Sequence, residues 1–276
     1  MKKILLWTAG VLILIGAAAG LYLGPVMSKF LSISLVQPDP NLVIMLGGGG
    51  NTVLLKSPDN RDVLIVDTKV GSGAKRLKAY VDSWAPGARV VIVNTHEHAD
   101  HISGNPLYPG ARLITGPGAD SGVAGEQTTR LAAGEETALA IGDETVKIRN
   151  LGQAHAWDNL VVYLENRKLL ATGDLVFNRW IPVAMKQGGT HIGKWMQALD
   201  GMLAAYPAVM VVPGHGDVSG RSALESQRAF FADITEAAGD PGRWAALEKK
   251  YAGYLSLPGM SGLKAIAALI AEERKQ

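Results

Sequence analysis

The chain of 276 residues contains no cysteine, which excludes disulfides, thiolate metal ligands and a cysteine nucleophile together. That absence suits an oxidising compartment without requiring one. Charge is sparse and balanced, with 27 Lys and Arg against 25 Asp and Glu dispersed along the chain. No clustered basic face is present, so the electrostatic footprint of a nucleic-acid binder is missing. No Gly-x-Ser-x-Gly elbow occurs, and a covalent serine mechanism has no support. No internal repeat stands out. What is abundant is apolar residue, at 47%, which excludes disorder and supplies a substantial core for one large domain or two small ones.

Charge is also missing from the N-terminal stretch Ile4 to Met27, which follows Met1-Lys2-Lys3. Its length exceeds a signal-peptide apolar region and fits a membrane span of roughly 20 residues. Lys2 and Lys3 place its N-terminus in the cytoplasm and the rest of the chain outside it. The expectation is an inner-membrane anchor over 1–27 with the catalytic domain in the periplasm or otherwise exported. A cleaved signal peptide is the alternative, with Ala17-Ala18-Ala19 offering small residues for processing.

Residues 28–41 read as a connector broken by Gln37-Pro38-Asp39-Pro40. A globular domain is expected over 42–240, opening with Leu42 to Leu46 and four glycines, Gly47 to Gly50. No Gly-Lys-Ser/Thr follows the glycines, so they read as a strand-end turn rather than a phosphate loop. Apolar runs predict strands at 53–55, 63–66, 89–94, 112–114, 145–148, 160–164, 168–171 and 209–212. Helical periodicity appears over 74–84, 192–203 and 222–238. A helical tail is expected over 241–276, with its last helix spanning Gly262 to Arg274. The mixture specifies an α/β layered domain.

Ligand-type residues gather at the ends of these strands. Thr95-His96-Glu97-His98-Ala99-Asp100-His101 follows the strand at 89–94 and holds half of the chain's six histidines. His155, Asp174 and His215 come from three further segments, each beside glycine, which lets backbone approach a ligand closely. Open α/β sheets place their sites at such carboxyl ends. Five histidines and two aspartates exceed the needs of one tetrahedral zinc and match two metals with open positions. Any one of these histidines alone would be an ordinary surface residue; the joint pattern is what points to metal.

These motifs resemble the metallo-β-lactamase superfamily over about Leu42 to Ile234: the Gly-rich Gly47 to Asn51, Leu64-Ile65-Val66-Asp67, His96 to His101, His155, Gly173-Asp174 and Pro213-Gly214-His215-Gly216, in that order. The resemblance implies a four-layer αββα sandwich. It also implies that His96, His98 and His155 hold one metal, that Asp100, His101 and His215 hold a second, and that Asp174 bridges them. Asp67 resembles the family's acidic residue below the site and is expected to orient a ligand. Cysteine-containing β-lactamases carry Cys where Asp174 stands, and the other dinuclear lactamases lack a bridging aspartate. The ligand set is therefore similar to that of glyoxalase II, lactonases and ribonuclease Z. Flavin-linked di-iron members carry Glu in place of His98, which is intact here.

All-nitrogen and oxygen ligands suit two zinc ions and also accept iron or manganese. The expected protein is an exported zinc hydrolase that uses a metal-bridging hydroxide on a small ester, thioester, lactone or amide, with Asp100 orienting the attack. Its partners are a small-molecule substrate and, through the N-terminal helix, the membrane. Two alternatives stand beside it: an iron-dependent dioxygenase of sulfur compounds in the glyoxalase II-like branch, and a non-catalytic metal-binding accessory protein. His191 reads as a polar residue near a helix start. Trp157 and Asp158 sit next to His155, and Phe177 and Trp180 are candidates for an apolar wall or for core. Loops near 116–125 and 178–189 are expected to set specificity.

Overall fold

The computed structural model describes residues 24, 26–118, 127–257, 259–260 and 262–275. Among them, twelve strands form two sheets. The first runs β1 (Ile33–Asp39), β2 (Leu42–Gly47), β3 (Thr52–Lys56), β4 (Asp62–Val66), β5 (Arg89–Val93), β6 (Arg112–Thr115) and β7 (Gln127–Arg130), in that spatial order. Short turns make β1 to β4 antiparallel, whereas β4 to β7 are parallel. The second sheet has the order β12 (Met210–His215), β11 (Leu169–Phe177), β10 (Leu160–Leu164), β9 (Glu144–Asn150) and β8 (Glu136–Ile141). Its β11–β12 pair is parallel and the rest antiparallel.

Strand alternation divides the core into layers. Leu42, Ile44, Val53, Leu55, Leu64 and Val66 of the first sheet face Val146, Ile148, Leu160, Val162 and Leu164 of the second, forming a buried interior between them. The other face of the first sheet, with Val43, Met45, Leu54, Val63 and Ile65, packs on α1 (Gly71–Trp84). That helix buries Ala74, Leu77 and Val81, one stripe at helical spacing. The outer face of the second sheet, with Val161, Tyr163 and Leu170, is covered by α3 (Ile192–Ala205) and α4 (Ser222–Ala237). The short α2 (Ala99–Ile102) follows β5. Beyond α4 lie α5 (Pro241–Tyr251), capped by Asp240 with Pro241 in its first turn, and α6 (Leu263–Glu273).

Several expectations need revision. The connector over 28–41 is structured: Ile33–Asp39 is an edge strand on β2, and Pro38 is tolerated there because an edge residue need not donate to a ladder. The uncharged run was expected to extend as an anchor through Met27, but residues 26–31 are helical and Val26 is buried in the core beside the second sheet. Most of that run, and residues 119–125 of one expected specificity loop, lie outside the described residues. Among the described residues, no helix is long and apolar enough to cross a membrane. Asp174 does not follow its strand but lies inside β11, which continues to Phe177.

Candidate metal centre

The site forms where the ends of both sheets meet. β5 of the first sheet delivers His96 and His98, and α2 immediately after it carries Asp100 and His101. His155 comes from the loop between β9 and β10, Asp174 from β11, and His215 is the last residue of β12. Hydrogen bonds tie the two sheets together here. Leu160 N donates to Thr95 O at 2.7 Å, and Asn51 in the Gly-rich turn donates to Gly214 O at 2.8 Å and to Pro213 O at 2.9 Å. The register between β11 and β12 slips on either side of Gly173. Such irregularities re-aim side chains, and this one turns Asp174 into the cluster.

Seven side chains converge in two groups, His96, His98, His155 and Asp174 in one, Asp100, His101 and His215 in the other. Within each group the ligand atoms lie within 4.8 Å of one another. Asp174 joins them. Its Oδ1 is 3.2 Å from His101 Nε2, and its Oδ2 is 3.4 Å from both His155 Nε2 and His215 Nε2 and 3.9 Å from His96 Nε2. His98 presents Nδ1 to His155 Nε2 at 3.0 Å. Asp100 Oδ2 is 3.2 Å from His215 Nε2 and 3.6 Å from His101 Nε2.

Backbone is shaved away to admit these groups. A Cβ on Gly50 would stand 2.5 Å from His101 Cε1, and one on Gly214 would stand 1.9 Å from Asp174 Oδ1. Neither position tolerates any side chain while the ligands stay in place.

Asp67, directly after β4, supports the cluster from beneath. Its Oδ2 lies 2.7 Å from His101 Nδ1 and accepts the Thr95 hydroxyl at 2.7 Å, while Oδ1 accepts Thr95 N at 2.8 Å. The Thr95 oxygen in turn faces His96 Nδ1 at 3.1 Å. Both histidines thereby keep a proton on Nδ1 and present Nε2 to the cluster. Asp67 adopts φ 65°, a left-handed conformation that is uncommon outside glycine and that orients its carboxylate under the site. Two residues on, Lys69 is fully buried, also at φ 63°, and donates to the carbonyls of Met45, Gly47 and Gly50. It thus pins the Gly-rich turn against the cluster. Burial pushes its pKa down to about 7, opposed by Asp67 and Asp100.

The electrostatics separate the ligands into two kinds. Burial, reinforced by its neighbour His101, drives His96 well below the ordinary range, and burial takes His155 down to about 3 despite Asp174. Both are neutral donors at pH 7. Burial opposes charge on His101 and His215 as well, but Asp174 and Asp100 outweigh it, raising His101 strongly and His215 to about 9. Asp174 is held well below the carboxylate range and Asp100 near 2, burial being outweighed by His101 and His215. Without metal, protons on His101 and His215 therefore neutralise the two carboxylates.

The donor set fits metal. His96 Nε2, the lone pair of a neutral imidazole, is buried without a hydrogen bond, an arrangement that is costly unless a cation takes it. Nitrogen and carboxylate oxygen suit zinc and equally iron or manganese.

The remaining sequence candidates have other places. His191 caps the start of α3 by accepting Lys194 N at 3.4 Å and meets Glu273 Oε2 of α6 at 3.1 Å. Trp157 is exposed, and its backbone N faces Glu97 Oε1 at 3.4 Å. Asp158 accepts Asn150 Nδ2 and Gly118 N, bracing the loop that carries His155. Phe177 and Trp180 are buried and both pack near the His215 ring. Four contributors went unread in the sequence: Thr95, Lys69, Phe30 and Glu273. Only Thr95 carried a signal, its place at the head of the histidine cluster. A groove of about 950 Å³, lined by Lys78, Arg89 and Tyr108, lies at the opposite ends of β5 and β6 from the cluster.

The chain is similar to known proteins in sequence and in fold. Residues 45–116 match the family model described as "Metallo-beta-lactamase superfamily". A metallo-beta-lactamase type 2 of Bacillus sp. (strain 170) is 29% identical over 142 residues, covering 48% of this chain and 54% of that protein. One from Bacteroides fragilis is 29% identical over 92 residues, covering 33% and 37%. The chain thus spans about half the length, or less, of these curated relatives. Among solved structures, a metallo-beta-lactamase from Pontibacter korlensis aligns with TM-score 0.60 at 20% identity, covering 72% of this chain and 98% of that one. A metallo beta lactamase from Hirschia baltica aligns with TM-score 0.59 at 17% identity, covering 71% and 96%. At these identities the structures establish the fold alone.

Proposed function

Because the chain belongs to the metallo-beta-lactamase superfamily, we propose that it is a metal-dependent hydrolase with two ions, acting on a small ester, thioester, lactone or amide. The observation that carries this reading is Asp174, one carboxylate lying within 3.2–3.9 Å of histidines from both ligand groups. His96, His98 and His155 would hold one ion, Asp100, His101 and His215 the other, with Asp174 shared. When bound, a pair of zinc ions supplies a nucleophile from water at neutral pH and polarises the substrate carbonyl.

The protein's own groups divide the remaining work. Asp100 is the carboxylate of the cluster most open to the cleft, with a side chain 23% exposed. It is ionised at neutral pH, so it accepts a hydrogen bond from attacking water and orients it rather than acting as an acid. The proton required by the leaving group then comes from solvent. Phe177 and Trp180 exclude water from the His215 side. The absence of cysteine and the presence of Asp174 favour general carbonyl hydrolysis, while the named activity of the curated relatives makes the β-lactam, a cyclic amide, one member of the substrate panel.

The test combines metal analysis with turnover of a thioester, a lactone, a β-lactam and a phosphodiester, assayed side by side with zinc, iron or manganese. Two ions per chain and cleavage of a carbonyl substrate are expected, with both lost in His98→Ala. Full turnover by His98→Ala would sink the proposal.

A further inference from the structure

His101 and His96 are oriented through their Nδ1 atoms by Asp67 and Thr95. His215 is held differently. Among the described residues no carboxylate or hydroxyl bonds its Nδ1, and its ring is instead stacked near-parallel to two phenyl rings. Phe177 lies 5.2 Å away at 19° to the imidazole plane, and Phe30 lies 5.6 Å away at 17°. Trp180 closes the side at 6.1 Å and 44°. Rotation of the imidazole about its Cβ–Cγ bond would break both near-parallel contacts. Its plane is therefore fixed by sterics where its neighbours use hydrogen bonds. The contact is also attractive for a ring that carries positive charge or donates to a cation, because the phenyl faces are electron-rich.

The two plates have different origins. Phe177 ends β11, three residues after Asp174. Phe30 comes from the helical turn over residues 26–31, ahead of the first strand. That turn is fastened to the site at several points. Gly49 N, in the Gly-rich turn, donates to Phe30 O at 3.1 Å. Lys29 pairs with Asp217, two residues past His215, at 3.6 Å. Ser32 O approaches Gly47 so closely that a Cβ there would stand 2.0 Å from it. Val26 anchors the start of the turn in the core, and β1 continues it by pairing with β2 from Ile33 onward. The segment is thus held on the glycine turn, on the residues after β12 and in the core, and Phe30 is the side chain it lays on a ligand.

We propose that Phe30 is a positioning residue for the ion held by Asp100, His101 and His215, and that residues 26–31 form part of the metal centre. The inference rests on the two-ion reading above. Phe30 touches the ion only through His215; by fixing the ring plane it keeps Nε2 directed toward Asp100 and Asp174. It follows that processing of the chain at Ala17-Ala18-Ala19 leaves the centre whole, whereas any cut after Phe30 removes one wall of it.

The test uses the full chain with Phe30→Leu and Phe30→Tyr. Leucine keeps apolar bulk but removes the aromatic face, and tyrosine keeps the face. Zinc content is measured after dialysis against graded chelator, together with the thermal midpoint of each metal-free protein. The parent is expected to hold two ions. Phe30→Leu should release one of them about tenfold more readily and keep the other unchanged, the scale typical for partners that orient a ligand. Phe30→Tyr should match the parent. Equal retention of both ions by parent and Phe30→Leu overturns the inference. So does an equal weakening of both ions accompanied by a fall in the metal-free midpoint, which would make the role merely structural. A parent that binds only one ion defeats the two-ion reading itself, so the two failures are distinguished by the parent's stoichiometry.

Discussion

The Asp67 carboxylate stands 2.7 Å from His101 Nδ1, and through the Thr95 hydroxyl it also reaches His96, so one buried side chain orients a histidine from each ligand group. Asp67→Asn retains size and tolerates the left-handed backbone, but loses the charge and one acceptor. It should weaken both ions, by about 10- to 100-fold. Competition with a chromogenic chelator measures the two affinities. A loss confined to one ion would show that the Thr95 link to His96 carries no orienting force.

Protons and metal compete for the same atoms. His101 and His215 are raised, His215 to about 9, so at pH 7 both are protonated in the metal-free protein and must release their protons to bind. His96 and His155 are lowered and bind without release. Zinc uptake at pH 7 should therefore liberate about two protons per chain, and affinity should fall as pH drops below about 9. Calorimetry in buffers of different ionisation enthalpy counts the protons. Uptake with no proton release, or affinity that rises on acidification, would contradict the charge assignment.

Lys69 sends its ammonium into three backbone carbonyls, of Met45, Gly47 and Gly50, in a fully buried position. Lys69→Met fills the same volume and leaves those carbonyls without donors. Unsatisfied buried acceptors cost roughly 1–3 kcal/mol each at most, with relaxation recovering part, so a loss of about 2–4 kcal/mol is expected. Urea unfolding of the metal-free protein checks it. A change under about 0.5 kcal/mol, within the range of an ordinary surface substitution, would mean the Gly-rich turn holds its shape unaided.

Much of the candidate centre was legible because residues able to bind metal are rare types and collect here at strand ends. His96 to His101 could be read directly after the run Val90 to Val93, and Asp174 and His215 beside their glycines. What escaped was whatever carried no pattern. β7 is Gln127–Arg130, with two threonines and no apolar run, and it forms only as an edge beside β6. β1 contains Pro38, which argues against a strand unless the strand is an edge. Phe30 sits three residues past a run that reads as a membrane segment, in what reads as a connector, and nothing local announces that it meets His215, 185 residues later. The position of Asp174 inside β11 was missed for a related reason: Gly173-Asp174 reads as a turn, and only pairing with β12 extends the strand to Phe177.

The last helix closes the rim of the site. Glu273 of α6 accepts Ile192 N and Gly193 N at the start of α3, at 2.6 and 2.9 Å, and its neighbour Glu272 pairs with Lys186. Between these two fastenings lies Gly188, where a Cβ would come within 3.5 Å of His98 Nε2. A chain that lost the last turns of α6 would therefore keep all seven donor residues yet lose both fastenings of the wall beside His98.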